Sequence, residues 1–484
     1  MAIRTRFAPS PTGYMHIGNL RTALYAYLVA KKDPEGVYIL RIEDTDQGRL
    51  VEGATDIIYD TLKACGLKHD EGPDNGGDFG PYIQSERVRS GLYLKYAKEL
   101  IQRGGAHYCF CDEELIAAQR ELQEARGESF KFDDPCKLLT IEECEARIEA
   151  GEKFVIRQTI PEAGTTYFDD EVFGRITVEN NTLDEQVLIK SDGFPTYNFA
   201  NVIDDHLMGI TDVVRGMEYL SSTPKYNLIY NAFDWDIPRY IHCPPVMKDE
   251  HSKLSKRNGD ASFQDLVAKG YLPGAILNYI ALLGWSPTED REIFTLDELV
   301  QAFDVKHIGT SGAIFDPEKL KWVNGMWLRN MDLDSYEKLV TPYIDEAVNG
   351  SFNRRQIAAI LQQRAQTLAE IPEMLTFFDN FPSYSNDLFI NKKMKTDPTI
   401  ALKSLQASYE ALKNQEDWSE EALHTTLLAL PAKLEMKNGQ VLFPLRLAIT
   451  GMQFTPGGAI EISSILGKEE TLRRLELSIQ QLQQ

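Results

Sequence analysis

The stretch Phe7-Ala8-Pro9-Ser10-Pro11-Thr12-Gly13-Tyr14-Met15-His16-Ile17-Gly18-Asn19 decides how the first half of the chain folds. It lies between Ile3 to Ala8, which reads as a strand, and Ile17 to Lys31, where Leu20, Leu24, Tyr27 and Leu28 recur at helical spacing. Two prolines and a glycine turn the chain between the two elements. A strand-turn-helix junction of this kind is where open α/β sheets bind ligands, beyond the carboxyl ends of their strands. Unpaired N–H groups at the helix start, together with the helix dipole, favour a phosphate there. Gly13 and Gly18 let the backbone approach a ligand closely, and His16 can donate a hydrogen bond or carry charge. Taken alone, a His-Ile-Gly triplet is more often a helix entry with a structural histidine.

Outward from this stretch the pattern alternates. Val37 to Ile42 reads as a second strand, with helices at about Glu52 to Cys65 and Ser85 to Gly104. From about Gly105 to Asp184 polar helices and a hydrophilic β region (Phe154 to Thr182) read as an insertion, 105–184, into a domain formed by 1–104 and 185–257. The sheet is then expected to resume with strands at Gln186 to Lys190, Asp212 to Arg215 and Arg239 to His242. Strands alternating with helices argue for an α/β domain with a mostly parallel sheet and covering helices. The chain turns mainly helical after Asn258. Beyond Asn330 it reads as amphipathic helices broken by Pro372, Pro382, Pro398, Pro431 and Pro456.

Composition excludes several classes. The 484 residues are 43% hydrophobic and 26% charged, an ordinary globular balance. The best apolar run, Ala275 to Trp285, is short and interrupted by Asn278, so no membrane span is expected. The first residues lack the apolar stretch of a secretory signal, and six cysteines do not make a disulfide framework in so long a chain. A cytoplasmic monomer is expected. The net charge of −22 disfavours indiscriminate polyanion binding, but a nucleic-acid partner depends on where cations sit rather than on their total.

One cationic cluster is Lys253-Leu254-Ser255-Lys256-Arg257, followed by Asn258-Gly259, a composition suited to a loop closing over a polyphosphate. Such a run alone is usually a solvated surface. In order with Phe7 to Gly18, however, it resembles the two signature motifs of class I aminoacyl-tRNA synthetases. Arg41-Ile42-Glu43-Asp44-Thr45-Asp46 between them makes the chain similar to the glutamyl-tRNA synthetases in particular. Asn19 stands where many class I enzymes have histidine, and its expected role is a minor hydrogen bond.

The resemblance implies a Rossmann-like, doubly wound parallel catalytic domain with an α+β insertion. A stem-contact region (258–330) and all-helical anticodon-binding domains (331–484, split near 380) would follow. The substrates it implies are L-glutamate, ATP with Mg2+, and tRNA(Glu). The glutamate carboxylate attacks the α-phosphorus, pyrophosphate leaves, and the terminal ribose of the tRNA then takes the glutamyl group. Such a transfer needs positioning and charge stabilisation more than covalent catalysis. The catalytic residues expected are His16, Lys253 and Lys256, with Pro9, Thr12, Gly13, Gly18, Asn19, Ser255 and Arg257 also at ATP. Arg6, Ala8, Ser10, Glu43, Tyr197, Asn201 and Arg215 are expected at glutamate. Arginine suits bidentate carboxylate recognition, Tyr197 and Asn201 share a face of a predicted helix, and Arg6 is chosen for the side-chain carboxylate.

In the insertion, Cys109, Cys111 and Cys136 match the spacing of a zinc site found in some bacterial glutamyl enzymes, but the histidine that completes it is Leu138 here. Three thiolates leave a tetrahedral site incomplete. Cys144 and His107 are the nearby substitutes, and zinc is expected to be absent. Farther on, Arg446 and Thr455 fall where the family reads anticodon bases, and Arg364 aligns with an arginine linked to rejection of the glutamine anticodon. An enzyme that also charges tRNA(Gln) with glutamate is the alternative. Small nucleotidylyltransferases share the histidine–glycine motif but need no long helical half.

Overall fold

The structure, a computed structural model, describes residues 2–127, 130–254 and 262–484. It comprises two units, one of Met1–Leu266 with Ile276–Asp316, the other of Val267–Ala275 with Pro317–Gln484.

In the first unit, β1 (Arg4–Phe7) and β2 (Val37–Leu40) pair in parallel, Arg4 opposite Val37 and Phe7 opposite Leu40. The helix Ile17–Lys31 connects them. Ile17, Leu20, Ala23, Leu24, Tyr25, Ala26, Leu28 and Val29 are all buried, covering most of its circumference. It is therefore a core helix rather than the one-faced surface helix that four recurring apolar residues suggest. The helix expected over Ser85 to Gly104 is two, Gln84–Arg89 and Leu92–Gln102, because Gly91 at the junction takes a φ of 74° that breaks the helical path.

The inserted region contributes β3 (Ala106–Cys109), β4 (Val155–Gln158), β5 (Thr165–Asp170) and β6 (Gly174–Glu179), and β7 (Val187–Ile189) follows it. The strand β7 does not resume the parallel sheet. It pairs antiparallel with β4, which pairs with β3. Its apolar residues Leu188 and Ile189 are buried with Ile156, Tyr93, Phe199 and Tyr226, between this sheet and three helices. An apolar run reveals burial but not the neighbouring strand.

The hairpin β5–β6 reaches the other way. β5 joins β9 (Arg239–Cys243), which pairs in parallel with β8 (Asp212–Gly216), giving the order β6-β5-β9-β8. β8 begins beside β1, where the Thr211 amide donates to the Arg4 carbonyl at 3.0 Å. Phe168 of β5 packs with Ile39, Val213 and Tyr240, so the hairpin is fused to the core of the parallel layer. β10 (Val246–Met247) and β11 (Ala313–Ile314) form a short parallel pair.

The second unit holds helices from Pro317–Asn330 to Lys468–Gln483, and among its described residues there is no strand. Pro372 and Pro398 sit in first turns, where the missing N–H costs nothing. Pro431, read as a break, lies inside the helix Glu420–Leu434. Burial of Leu423, Leu427 and Leu430 holds that helix across the lost hydrogen bond.

Candidate active site

A cavity of about 530 Å³ opens where β1, β8 and β9 end and the helix Ile17–Lys31 begins. Arg6, Ala8, Pro9, Ser10, Thr12, His16, Gly18, Asn19, Glu43, Tyr197, Arg215 and Lys253 line it, so residues from five separate segments of the chain meet here. Gly13 and Asn201 are not among its lining residues. Gly13 has a φ of 110°, a backbone region that favours glycine, and lets the turn form behind the wall. Asn201 is buried, its amide donating to the Tyr197 carbonyl at 2.7 Å. Ser255, Lys256 and Arg257 lie outside the described residues.

Where the helix Ile17–Lys31 meets the cavity, His16 is its N-cap. Its Nδ1 accepts the Gly18 N–H at 3.0 Å, which leaves the ring hydrogen of the neutral form on Nε2. A Cβ on Gly18 would stand 3.1 Å from the His16 ring, so glycine there preserves the cap. Lys253 sits on the returning arm of a turn in which Asp249 accepts from the His251 and Ser252 amides, and its backbone bridges to Met247.

Arg6 and Glu43 of the lining belong to a buried charge network. Asp205 accepts from Arg6 Nε at 2.9 Å and from Arg41 Nη1 at 2.7 Å, while Arg41 Nη2 reaches Glu43 at 2.9 Å. Asp204 in turn binds Arg87, Gln84 and Tyr93. Burial alone would raise the Asp205 carboxyl, but Arg6 and Arg41 outweigh it and hold it below its ordinary value. For Glu43 burial wins over Arg41 and the carboxyl is pushed up. An ammonium group arriving in the cavity would reverse that, making Glu43 a natural acceptor for it.

Arg215 differs from Arg6. It is 5% exposed and forms no ion pair among the described residues. Its Nε donates to His242 Nε2 at 3.1 Å and its Nη2 to the Thr223 hydroxyl at 2.8 Å. The rings of Tyr219, Tyr226 and Tyr240 surround its guanidinium at 5.3, 4.7 and 5.4 Å. A buried cation with no anion of its own is poised to take one from a ligand.

Reading the sequence missed Arg21, Glu218 and Tyr219, which also line the cavity. Arg21 donates to the Leu283 carbonyl at 2.6 Å and to that of Pro244. A lone arginine inside the apolar helix Ile17–Lys31 was the available signal.

The cysteine cluster has a fourth member. Sulfur atoms of Cys109, Cys111 and Cys136 and a carboxylate oxygen of Asp134 lie within 4.8 Å of one another. Four such donors match the number and kind that structural zinc takes. The second oxygen of Asp134 meets His107 Nε2 at 3.1 Å, the outer-shell arrangement that orients metal ligands. His107 thus holds Asp134 rather than joining the thiolates, and Cys144 packs in the apolar core. Leu138, at the position of the family's histidine, is 90% exposed.

The second unit has its own cavity of about 890 Å³, lined by Arg364, Gln366, Phe443, Arg446, Phe454 and Thr455 among others. Arg446 donates to the Thr455 hydroxyl at 2.6 Å, and its proton affinity is lowered by burial and then by the neighbouring Arg364. Phe454 is 81% exposed beside them, an aromatic that the sequence reading did not single out.

Residues 2–322 match the class I tRNA synthetase (E and Q) catalytic domain, and residues 335–479 an anticodon binding domain. A glutamate–tRNA ligase of Clostridium tetani is 58% identical over 480 residues, covering 99% of this chain and 98% of the relative. One from Clostridium acetobutylicum is 55% identical over 482 residues, covering 99% of each. The crystal structure of a glutamate tRNA ligase from Elizabethkingia meningosepticum, in complex with its amino acid, superimposes with a TM-score of 0.88 at 34% identity, covering 100% of both chains. With His16 and Lys253, one from each motif, lining one cavity and relatives of this identity along its whole length, the chain belongs to the glutamate–tRNA ligases, enzymes of the class I aminoacyl-tRNA synthetase family.

Proposed function

We propose that the 530 Å³ cavity is where glutamate is activated, and that the residues lining it divide the work between its two ends. Arg215, buried without an ion pair, is the observation that carries this reading: it takes one glutamate carboxylate. Arg6, already bonded to Asp205, takes the other through its remaining donor capacity, and Glu43 with Ser10 receives the ammonium. Tyr197, with Asn201 behind it, walls the pocket. His16 and the first amides of its helix hold the ATP phosphates, with Pro9, Thr12, Gly18 and Asn19 packed along the nucleotide. Lys253 and Lys256 neutralise the departing pyrophosphate, Ser255 and Arg257 assisting. Glutamate oxygen then attacks the α-phosphorus in line, and the 2′-hydroxyl of the tRNA takes the glutamyl group from the adenylate. Magnesium enters with ATP as part of that substrate.

Glutamine is almost isosteric with glutamate, so charge must discriminate. Leaving a desolvated arginine without its carboxylate costs roughly 3–5 kcal/mol, on the order of a hundredfold to several thousandfold. Region 105–184 faces the acceptor end of the tRNA, 258–330 its stem, and 331–484 its anticodon, where Arg446 and Thr455 read bases and Arg364 disfavours tRNA(Gln). Arginine can read a base edge bidentately. Aminoacylation of purified tRNA(Glu) and tRNA(Gln), each offered glutamate and glutamine, is expected to give product only for tRNA(Glu) with glutamate. Glutamate on neither tRNA overturns the activity. Glutamate on both removes the assignment of Arg364.

Cys109, Cys111, Asp134 and Cys136 are proposed to hold zinc, which would tie the end of β3 to the turn at Pro135–Leu138. Metal analysis of protein purified without chelator is expected to find about one zinc per chain, falling severalfold in an Asp134→Ala variant. Zinc-free wild type overturns this assignment. The free thiols suit a reducing cytoplasm, and the enzyme is proposed to act there as a monomer. Among the described residues no helix is long and apolar enough to cross a membrane.

A further inference from the structure

Behind Arg215 the inserted region reaches the wall of the cavity. Asp170, the last residue of β5, places Oδ2 2.6 Å from Nδ1 of His242, and His242 Nε2 stands 3.1 Å from Nε of Arg215. The directions of these hydrogen bonds follow from the donor inventory. A guanidinium nitrogen only donates, so His242 Nε2 accepts, and the ring hydrogen sits on Nδ1, pointing to the carboxylate. Thr223 agrees with this: its hydroxyl donates to the Tyr219 carbonyl at 2.8 Å and is left to accept from Arg215 Nη2. Burial lowers the proton affinity of His242, which keeps the ring neutral beside the guanidinium.

Asp170 is itself fixed. Its Oδ1 accepts from the amides of Val172 and Phe173 at 3.0 and 2.9 Å, and Oδ2 also accepts the His242 amide at 3.2 Å. Both side chains of the Asp170–His242 pair are fully buried. Two nitrogens of Arg215 are thus anchored from the rear, and Nη1 is the one without a hydrogen-bond partner among the described residues.

We propose that Asp170 and His242 are positioning residues for the amino-acid pocket: Asp170 selects the Nδ1–H tautomer of His242, and His242 Nε2 orients the Arg215 guanidinium toward the substrate carboxylate. The inserted region thereby sets the geometry of glutamate binding. This rests on the reading that Arg215 takes a glutamate carboxylate, and it adds residues that touch no substrate. A second link runs the same way, from Gln158 of β4 through Gln186 and Asn198 to Tyr226, whose ring lies 4.7 Å from Arg215.

An Asp170→Asn variant tests the tautomer directly. The new Oδ1 keeps the turn to Val172 and Phe173, so Nδ2 faces His242 Nδ1 and forces it to accept, while the His242 amide loses its acceptor. The ring hydrogen then moves to Nε2 and opposes the Arg215 Nε–H. In aminoacylation of tRNA(Glu), the KM for glutamate is expected to rise about 10–100-fold, while kcat and the KM for ATP stay within about twofold. His242→Gln, whose amide can donate to Asp170 and accept from Arg215, is expected to keep a glutamate KM well below that of His242→Leu. In an Arg215→Ala background, Asp170→Asn is expected to add no further loss in kcat/KM for glutamate. An unchanged glutamate KM in Asp170→Asn, equal losses in all three parameters, or additive losses in the double variant each overturn the relay. If Arg215→Ala alone leaves the glutamate KM unchanged, the pocket reading fails, and the relay with it.

Discussion

In an Arg215→Ala enzyme, kcat/KM for glutamate is expected to fall by a factor on the order of a hundred to several thousand, with the fold retained. The magnitude is that of leaving one carboxylate unpaired in a desolvated pocket, roughly 3–5 kcal/mol. Retention of the fold follows from the same geometry. Arg215 is buried without an ion pair, so its removal strands no anion, only the acceptors His242 and Thr223. Arg6 gives a less clean experiment, because Asp205 would then rely on Arg41 alone. Steady-state aminoacylation over a range of glutamate concentrations, with a melting curve for each variant, checks the expectation. A glutamate kcat/KM within about threefold of wild type would move the carboxylate site away from Arg215.

The second large effect separates capping from catalysis at His16. Alanine removes both the helix cap and the ring that can meet a phosphate, so its loss of activity would be ambiguous. Asparagine caps helices well but is too short to reproduce the imidazole Nε2. His16→Asn is therefore expected to melt like the wild type while kcat falls about 100–1000-fold, the usual result of removing one donor aimed at transition-state charge. The glutamate KM should change little, because His16 is proposed to meet the ATP phosphates and Arg215 the amino acid. A His16→Asn enzyme of near-normal kcat would reduce His16 to a structural cap.

These two expectations differ in how far the sequence alone could have supported them. The region around His16 was readable because its elements are contiguous: a strand, two prolines, a positive-φ glycine and a capped helix are set by short-range sterics and adjacent hydrogen bonds. The ranking of Arg6 and Arg215 was not readable. Both are arginines at strand ends, and Arg6 was preferred for the side-chain carboxylate. Only the fold puts Asp205, 199 positions along the chain, against Arg6 and leaves Arg215 among tyrosines. The fourth donor of the cysteine cluster was missed for a related reason. Asp134 precedes Cys136 by two positions, whereas the histidine of the family's spacing follows it, and an aspartate near a turn carries no mark of ligation until the strand β3 is folded against it.

Chain-local chemistry thus determined the strand-turn-helix entry, the approximate spans of the strands near the cavity and the helical character of the second half, and the resemblance to a known family joined two distant motifs in one enzyme class. Tertiary structure decided which strand β7 joins, that Pro431 stays within its helix, which arginine lacks an anion, and that Asp170 of the insertion stands behind the pocket through a histidine 72 positions away. The physical reason is the range of the forces involved. Backbone conformation is governed by neighbours in sequence, whereas burial and charge pairing depend on neighbours in space, and those are brought together only when the core closes.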